Sequence, residues 1–253
     1  MKIELIGLEN LPLINEKTDL SKVIIDALEK QKFPIENGDI ILIAETLISK
    51  SENNIIELSK VKPSEKGIEI AKKIDKSPEI IESILNESKD IIAIGKDFII
   101  TETKHGFVCA NAGIDESNVK SGFVTPIPND PDKSASKIRE KLENRYNIEL
   151  AIIVTDTQGR AFRNGAIGVA IGFSGLEPLW KRKGERDLYG KELQTTEIAI
   201  IDELSAAASL IMGQADEGIP VVVIKGFSNF KNLRNIEKGI KSLLRKKEQD
   251  VFR

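Results

Sequence analysis

Residues 148–175 read IELAIIVTDTQGRAFRNGAIGVAIGFSG. The continuous apolar run Leu150–Val154 reads as a buried strand. It leads into Thr155-Asp156-Thr157, then two glycines, Arg160, Arg163 and a second apolar run. A side chain at the exit of such a strand is presented to solvent while its backbone is held rigidly. We therefore read Asp156 as a carboxylate displayed at a strand end, with Thr157 as a second oxygen donor. Gly159 and Gly165 permit turns or close ligand approach. Arg160 and Arg163 offer planar forks for a phosphate or carboxylate. A metal ion with an anionic substrate accounts for all three features together; a polar strand-to-turn junction is the plain alternative.

Working outward, the chain mixes helix and strand signals without a regular βαβ alternation. Strands are expected at Lys2–Ile6, Asp39–Ala44, Ile91–Ile94, Phe98–Thr101, Phe107–Ala110 and in IPVVVIKGF near the end. Helices are expected over Leu20–Lys32 with Asp19 as cap, after Ser64, after Ser77-Pro78, and in the charged stretch following TPIPND. Leu193–Ile200 alternates like a strand, with Asp202 then capping ELSAAASLIMG; a helix beginning near Thr195 is the rival. Ser205–Ala208 are four small residues that permit close backbone approach. A polar, lysine-rich helix is expected to close the chain. The fold class is α+β around a mixed sheet. The sequence carries neither a dinucleotide-binding fingerprint nor a Walker A motif, so it is neither a Rossmann nor a P-loop fold. We take residues 1–253 as a single unit, or as two intimately packed subdomains.

The chain has 253 residues, 40% apolar and 30% charged, with a formal net charge of -3. This is the composition of a globular protein with ample material for a core. Nucleic acid and anionic membrane are not expected as partners. No apolar run approaches the roughly 18 residues needed to span a bilayer, and the N-terminus reads as a first strand rather than a signal peptide. The expected location is the cytoplasm. One cysteine, Cys109, excludes an intrachain disulfide, and with one histidine, His105, a zinc site is not expected. Any metal should be a hard cation held by oxygen, such as Mg²⁺ or Mn²⁺. The Cys109/His105 pair lacks a third partner and is not read as a nucleophile and its base.

Two further clusters carry oxygen ligands. In CANAGIDESN, Asp115 follows an apolar segment and Gly113, and Asn118 offers a hydrogen-bonding amide. If the two strand exits meet, Asp115 and Asp156 share one cation; an Asx turn at Asp115 is the alternative. In LIMGQADEGIP, Gly213 ends the expected helix, and Gln214, Asp216 and Glu217 precede Gly218. This loop could carry a nucleotide or simply be a helix C-terminus. Lys50 could contact phosphate or lie on the surface, and Glu45-Thr46 sits at another strand exit. KRKGERDLYG is basic then polar, an anion site or a solvated charge run.

Taken in order, GLENLPLI (7–14), NAGIDESNV (111–119), TDTQGRAFRNGAIGVAIGFSG (155–175), DLYGKEL (187–193) and MGQADEGIPVVVIKG (212–226) resemble the F420 gamma-glutamyl ligase family, the coenzyme F420-0:L-glutamate ligases. The resemblance spans nearly the whole chain. It implies a family-specific mixed α/β fold, a homodimer with nucleotide sites near the subunit interface, and a GTP-dependent enzyme. Such an enzyme attaches L-glutamate to the phospholactate end of F420-0 and then a second glutamate through its gamma-carboxylate. The implied cations are Mg²⁺ or Mn²⁺, two per site, with K⁺ as a further candidate. Carried over by motif, Asp115 and Asp156 would hold one metal, and Thr157 and Gln214 would belong to a second. Leu11, Pro12, Leu13, Ile14, Glu45, Thr46, Lys50, Asn118 and the loop Met212, Gly213, Gln214, Ala215, Asp216, Glu217, Gly218 and Ile219 would line the GTP site. Arg160 and Arg163 are the candidates for holding the acceptor carboxylate or a phosphate. Three positions depart from the family pattern. Glu45-Thr46 stands where Ser-Thr or Gln-Lys is common, Gln214 where some members have glutamate, and His105 where an apolar residue is more usual. Gln214 keeps a neutral oxygen but removes a charge, which should weaken or retune the second metal. Two alternatives use the same residues: a metal-dependent nucleotide phosphohydrolase and a GTP-binding regulatory protein.

Overall fold

The computed structural model describes residues 2–16 and 18–251; Lys17, inside the first expected loop, lies outside them. The chain opens with β1 (Glu4–Gly7) and α1 (Leu20–Lys30). Asp19 caps α1 by accepting from Ser21 N–H at 3.1 Å and Lys22 N–H at 3.3 Å, and Leu20, Ile24, Ala27 and Leu28 form its buried stripe. The apolar β2 (Ile40–Ala44) follows and runs straight into α2 (Glu45–Ser51). A smaller region comes next: β3 (Ile56–Glu57), α3 (Glu65–Ala71), α4 (Pro78–Glu87), β4 (Ser88–Ile94), β5 (Ile99–Thr103), β6 (Val108–Ala110) and β7 (Phe123–Val124). Ser64 and Ser77 cap α3 and α4 as expected, with Pro78 in the first turn, where its missing N–H costs nothing. The charged helix α5 (Pro131–Tyr146) is capped by Asp130 and ends at Asn147 in the left-handed region, φ 53°. Then come β8 (Ala151–Arg160), β9 (Arg163–Ser174), β10 (Leu179–Lys181), β11 (Glu197–Ala199), α6 (Ile200–Met212) and β12 (Val221–Lys225).

The main sheet has the order β1-β12-β2-β8-β9. Its β2–β8 pair is parallel and its other pairs are antiparallel, the mixed sheet of an α+β fold. The first half of β8 is buried throughout, and β2 and β12 are buried except at their last residues, which is why these strands read as unbroken apolar runs. Helices α5 and α6 pack on β9 through glycines. A Cβ on Gly168 would lie 2.4 Å from the Ser205 carbonyl oxygen of α6, and one on Gly172 would lie 2.3 Å from Pro131 Cβ of α5. Ile171 is the extra residue of a bulge between these two positions, so glycines four apart address different helices. A second buried cluster, with Ile70, Ile74, Ile81, Ile84, Ile99 and Val124, holds the smaller region together.

Three expectations need correction. Asp156 is not at a strand exit: β8 continues to Arg160 and pairs with β9 as far as Arg160↔Arg163, because the glycine-rich sequence after Thr157 extends into a two-stranded arm. Asp202 does not cap its helix. The strand in 193–200 is only Glu197–Ala199, α6 starts at Ile200, and the Asp202 carboxylate accepts from Ala170 N–H of β9 at 3.0 Å. The lysine-rich end is not one helix. It is broken into 3₁₀ turns at Lys231–Leu233, Ile240–Ser242 and Lys247–Gln249. Buried Leu233 and Ile240 anchor it, as does an N–H of Ile240 donated to Asp132 at 2.8 Å. No helix among the described residues is long and apolar enough to cross a membrane.

Candidate functional site

Parallel pairing of β2 with β8 sets Ala44 opposite Thr155. The next residue along each chain is an acid, Glu45 opening α2 and Asp156 continuing β8, so the register brings them together. Asp115 arrives from the smaller region. Its backbone pairs with Thr125 in both directions at 2.9 Å. Just before it the chain turns sharply through Asn111, Ala112 and Gly113, with φ 53°, 55° and 68°. A Cβ on Gly113 would meet Ile127 Cδ1 at 2.5 Å, so glycine is required there on two counts.

The three acids border one cleft of about 680 Å³. Burial raises the Glu45 carboxyl well above the usual carboxylate range, and the charges of Asp156 and Asp115 raise it further. Glu45 is only 9% exposed. Burial also pushes Asp156 up to about 6, against the lowering effect of donors from Gln158 and Thr157, and Asp115 adds to the rise. Asp156 is half-buried: it keeps surface toward the cleft while protein atoms enclose its remaining sides. The site thus concentrates negative charge in a partly dry place, the condition a bound cation relieves.

The sequence-derived candidates converge here to a large extent. Leu11, Pro12, Leu13, Ile14, Glu45, Thr46, Lys50, Asp115, Asn118, Asp156 and Thr157 line the cleft, as do Met212, Gly213, Gln214, Ala215, Asp216, Gly218 and Ile219. Lys50 Nζ donates to the Asn118 carbonyl and ties α2 to the Asp115 loop; burial lowers its pKa, against the pull of Asp115 and Glu45. Gln214 Nε2 donates to Thr157 Oγ1 at 3.1 Å, joining the loop after α6 to the arm. The Asx turn at Asp115 is also present, with Ser117 N–H donating to Oδ1 at 2.7 Å.

Three candidates do not line the cleft. Glu217 folds back over Gly213 and accepts from Ala215 N–H at 2.7 Å. Gly213, at φ 70°, leaves it room, since a Cβ there would sit 2.0 Å from Glu217 Cδ. Arg160 and Arg163 lie at the arm's tip, where Arg160 Nη2 donates to the Asn164 carbonyl at 3.1 Å. Residues not singled out in the sequence also line the cleft, among them Gln158 and Ser117, as does Cys109, which the sequence reading set aside. Gln158 and Ser117 each follow a candidate acid by two positions, a spacing that could have marked them. The Cys109 thiol is pushed up to about 12, mainly by burial, and so carries no thiolate. His105 stacks on Phe107 at 5.9 Å and lies outside the cleft lining.

Among the described residues no three His, Cys, Asp or Glu side chains are gathered as a ready metal-ligand set. The candidate ligands Asp115, Asp156, Thr157 and Gln214 offer two carboxylates, a hydroxyl and an amide oxygen, all suited to a hard cation.

Residues 9–226 match the family model described as F420-0:Gamma-glutamyl ligase. The chain is 55% identical over 253 residues to the Coenzyme F420:L-glutamate ligase of Methanothermobacter thermautotrophicus, covering 100% of both chains. It is 51% identical over 258 residues to that of Methanocaldococcus jannaschii, covering 100% of this chain and 97% of the relative. With the protein of the same name from Archaeoglobus fulgidus identity is 39% over 253 residues, again 100% and 97% of the two chains. The chain belongs to the F420-0:gamma-glutamyl ligase family and is a ligase.

Proposed function

We propose that this chain uses GTP to join L-glutamate to the phospholactate carboxylate of F420-0, then adds a second glutamate through the gamma-carboxylate. The observation that carries this is one cleft in which Asp115, Asp156, Thr157 and Gln214 meet Lys50, the 11–14 segment and residues 212–216, 218 and 219. A carboxylate is a poor electrophile, so amide formation requires its activation. The γ-phosphoryl of GTP passes to a carboxylate oxygen of F420-0 as the bond to the β-phosphate oxygen breaks, giving an acyl phosphate and GDP. The neutral amine of glutamate attacks the acyl carbon, the amine proton is lost and phosphate leaves. This route needs no protein nucleophile, in keeping with a Cys109 thiol that stays protonated.

The cleft's residues fit a Mg²⁺ or Mn²⁺ site: Asp115 and Asp156 would hold one ion, and Thr157 and Gln214 would serve a second. Bound there, the cation would neutralise charge on the transferring phosphoryl group. Lys50 supplies a partly desolvated ammonium for the phosphates, where a charge acts more strongly than in water. Leu11–Ile14 give the cleft an apolar rim, and Leu13 is 98% exposed, free to pack on an entering ligand.

Incubation with F420-0, GTP, L-glutamate and Mg²⁺ or Mn²⁺ is expected to give GDP and a product heavier by one glutamyl unit, read by mass spectrometry. Phosphate release that ignores glutamate and yields no glutamyl product would turn the assignment toward a phosphohydrolase. Tight GTP binding without turnover would turn it toward a regulatory protein.

A further inference from the structure

The Asp156 carboxylate is gripped by its own strand. Thr157 N–H donates to Oδ1 at 2.6 Å, and Gln158 Nε2 donates to Oδ2 at 2.9 Å. Residues two apart on a strand share a face, so the pleat of β8 by itself places Gln158 beside Asp156, and both line the cleft. A carboxylate has about four lone-pair sites; two donors leave the others open while stopping rotation about the terminal side-chain torsion, which is otherwise broad. The loop from the smaller region repeats the arrangement: Ser117 donates from N–H to Asp115 Oδ1 at 2.7 Å and from Oγ to Oδ2 at 2.9 Å. Both acids therefore enter the cleft with each oxygen anchored. They differ in one respect. Ser117 grips Asp115 inside a local turn, whereas Gln158 reaches Asp156 along a strand whose ladder already satisfies the backbone, so its side-chain bond is not needed to form the arm.

We propose that Gln158 is a positioning residue that fixes the Asp156 carboxylate in the orientation that receives a divalent cation. The proposal rests on the metal-dependent ligase reading given above. Gln158 sets the affinity for the cation and touches neither phosphate nor acceptor. Partners of this kind around metal ligands change metal affinity by about 10–100-fold when lost.

The test titrates Mn²⁺ into the full-length protein and reads the free ion by its electron paramagnetic resonance signal. Gln158→Met keeps the length of the side chain and removes the donor; Gln158→Ala is the second variant should the thioether pack badly. A dissociation constant for Mn²⁺ raised about 10–100-fold is expected in a variant whose thermal melt overlays the wild type. The KM for GTP at saturating Mn²⁺ should stay unchanged. If Gln158 merely supported the arm, the melt would drop and the Mn²⁺ titration would not move. Wild-type Mn²⁺ affinity in both folded variants overturns the inference and leaves the metal site standing. A wild-type protein that takes up no Mn²⁺, with or without GTP, overturns both.

Discussion

Asp156 shares its cleft with Glu45 and Asp115, and burial has pushed its carboxyl from 3.8 up to about 6. A carboxyl raised on folding contributes stability that is fully present below its unfolded value and is lost as pH rises through its folded one. The loss for Asp156 falls between pH 3.8 and about 6 and amounts to at most about 3 kcal/mol. Asp156→Asn removes that titration. In protein free of divalent cations, urea denaturation should show the variant gaining on the wild type from pH 4 to pH 7, by up to about 3 kcal/mol. Glutamyl transfer at limiting Mn²⁺ should fall by more than about 10-fold, since even an outer partner of a ligand is worth about 10–100-fold. A pH profile parallel to the wild type would show that the acid is not disfavoured in the fold, and normal turnover would remove it from the metal site. Lys50→Ala should weaken GTP binding by about 2 kcal/mol, roughly 30-fold, as expected for one partner of a desolvated charge pair; unchanged GTP affinity in calorimetry would exclude the role. At this scale the sequence was informative about the acids, because each follows an apolar run and a flexible or polar neighbour. It could not place them together, because Glu45 and Asp156 meet through the distant pairing of Ile40–Ala44 with Ala151–Thr155, and Asp115 comes from the smaller region, paired with Thr125. Arg160 and Arg163 were carried toward the site by assuming that β8 stopped at Asp156, and its continuation moves both to the tip of the arm.

Among the elements, close approach of α6 to β9 decides how the main sheet is covered. Gly168 faces the Ser205 carbonyl, and an added Cβ would lie 2.4 Å from that oxygen, a backbone atom that cannot swing away. Gly168→Ala should therefore destabilise the protein by about 1–3 kcal/mol through overpacking, measured as a lower urea midpoint at unchanged slope. Gly159→Ala makes the control, since nothing lies within 4 Å of its Cβ. A variant at 168 as stable as the wild type would mean that α6 slides on the sheet without penalty. Helix starts were legible wherever a side chain caps its own helix, as Asp19, Ser64, Ser77 and Asp130 do. Asp202 misled because its carboxylate is used across the sheet, on Ala170. The lysine-rich end misled for the opposite reason. High helix propensity without a continuous apolar stripe is too weak to hold a helix, and tertiary anchors at Leu233 and Ile240 bend the chain into short turns.

Seen as a whole molecule, the chain exposes several large apolar side chains among its described residues, Leu13 and Leu210 among them, and two of these are neighbours in sequence. Leu188 and Tyr189, in the loop between β10 and β11, are 101% and 98% exposed. Isolated exposed apolar residues are ordinary; adjacent ones on an extended loop, flanked by the charges of Arg186 and Lys191, have the make-up of an interface core with a polar rim. The family resemblance implies a homodimer, and we propose that a second copy of the chain covers this loop; stable contacts of that kind bury upward of about 1,000 Å² in total. Arms that reach away from the body can bury that much without changing the fold beneath them. Light scattering coupled to size exclusion should then give a mass twice the 28.0 kDa of one chain. The double substitution Leu188→Ser and Tyr189→Ser should move it toward the single-chain mass with an unchanged circular dichroism spectrum. A wild-type protein that runs as one chain at micromolar concentration would end the dimer proposal, and a double variant that stays paired would move the contact away from this loop.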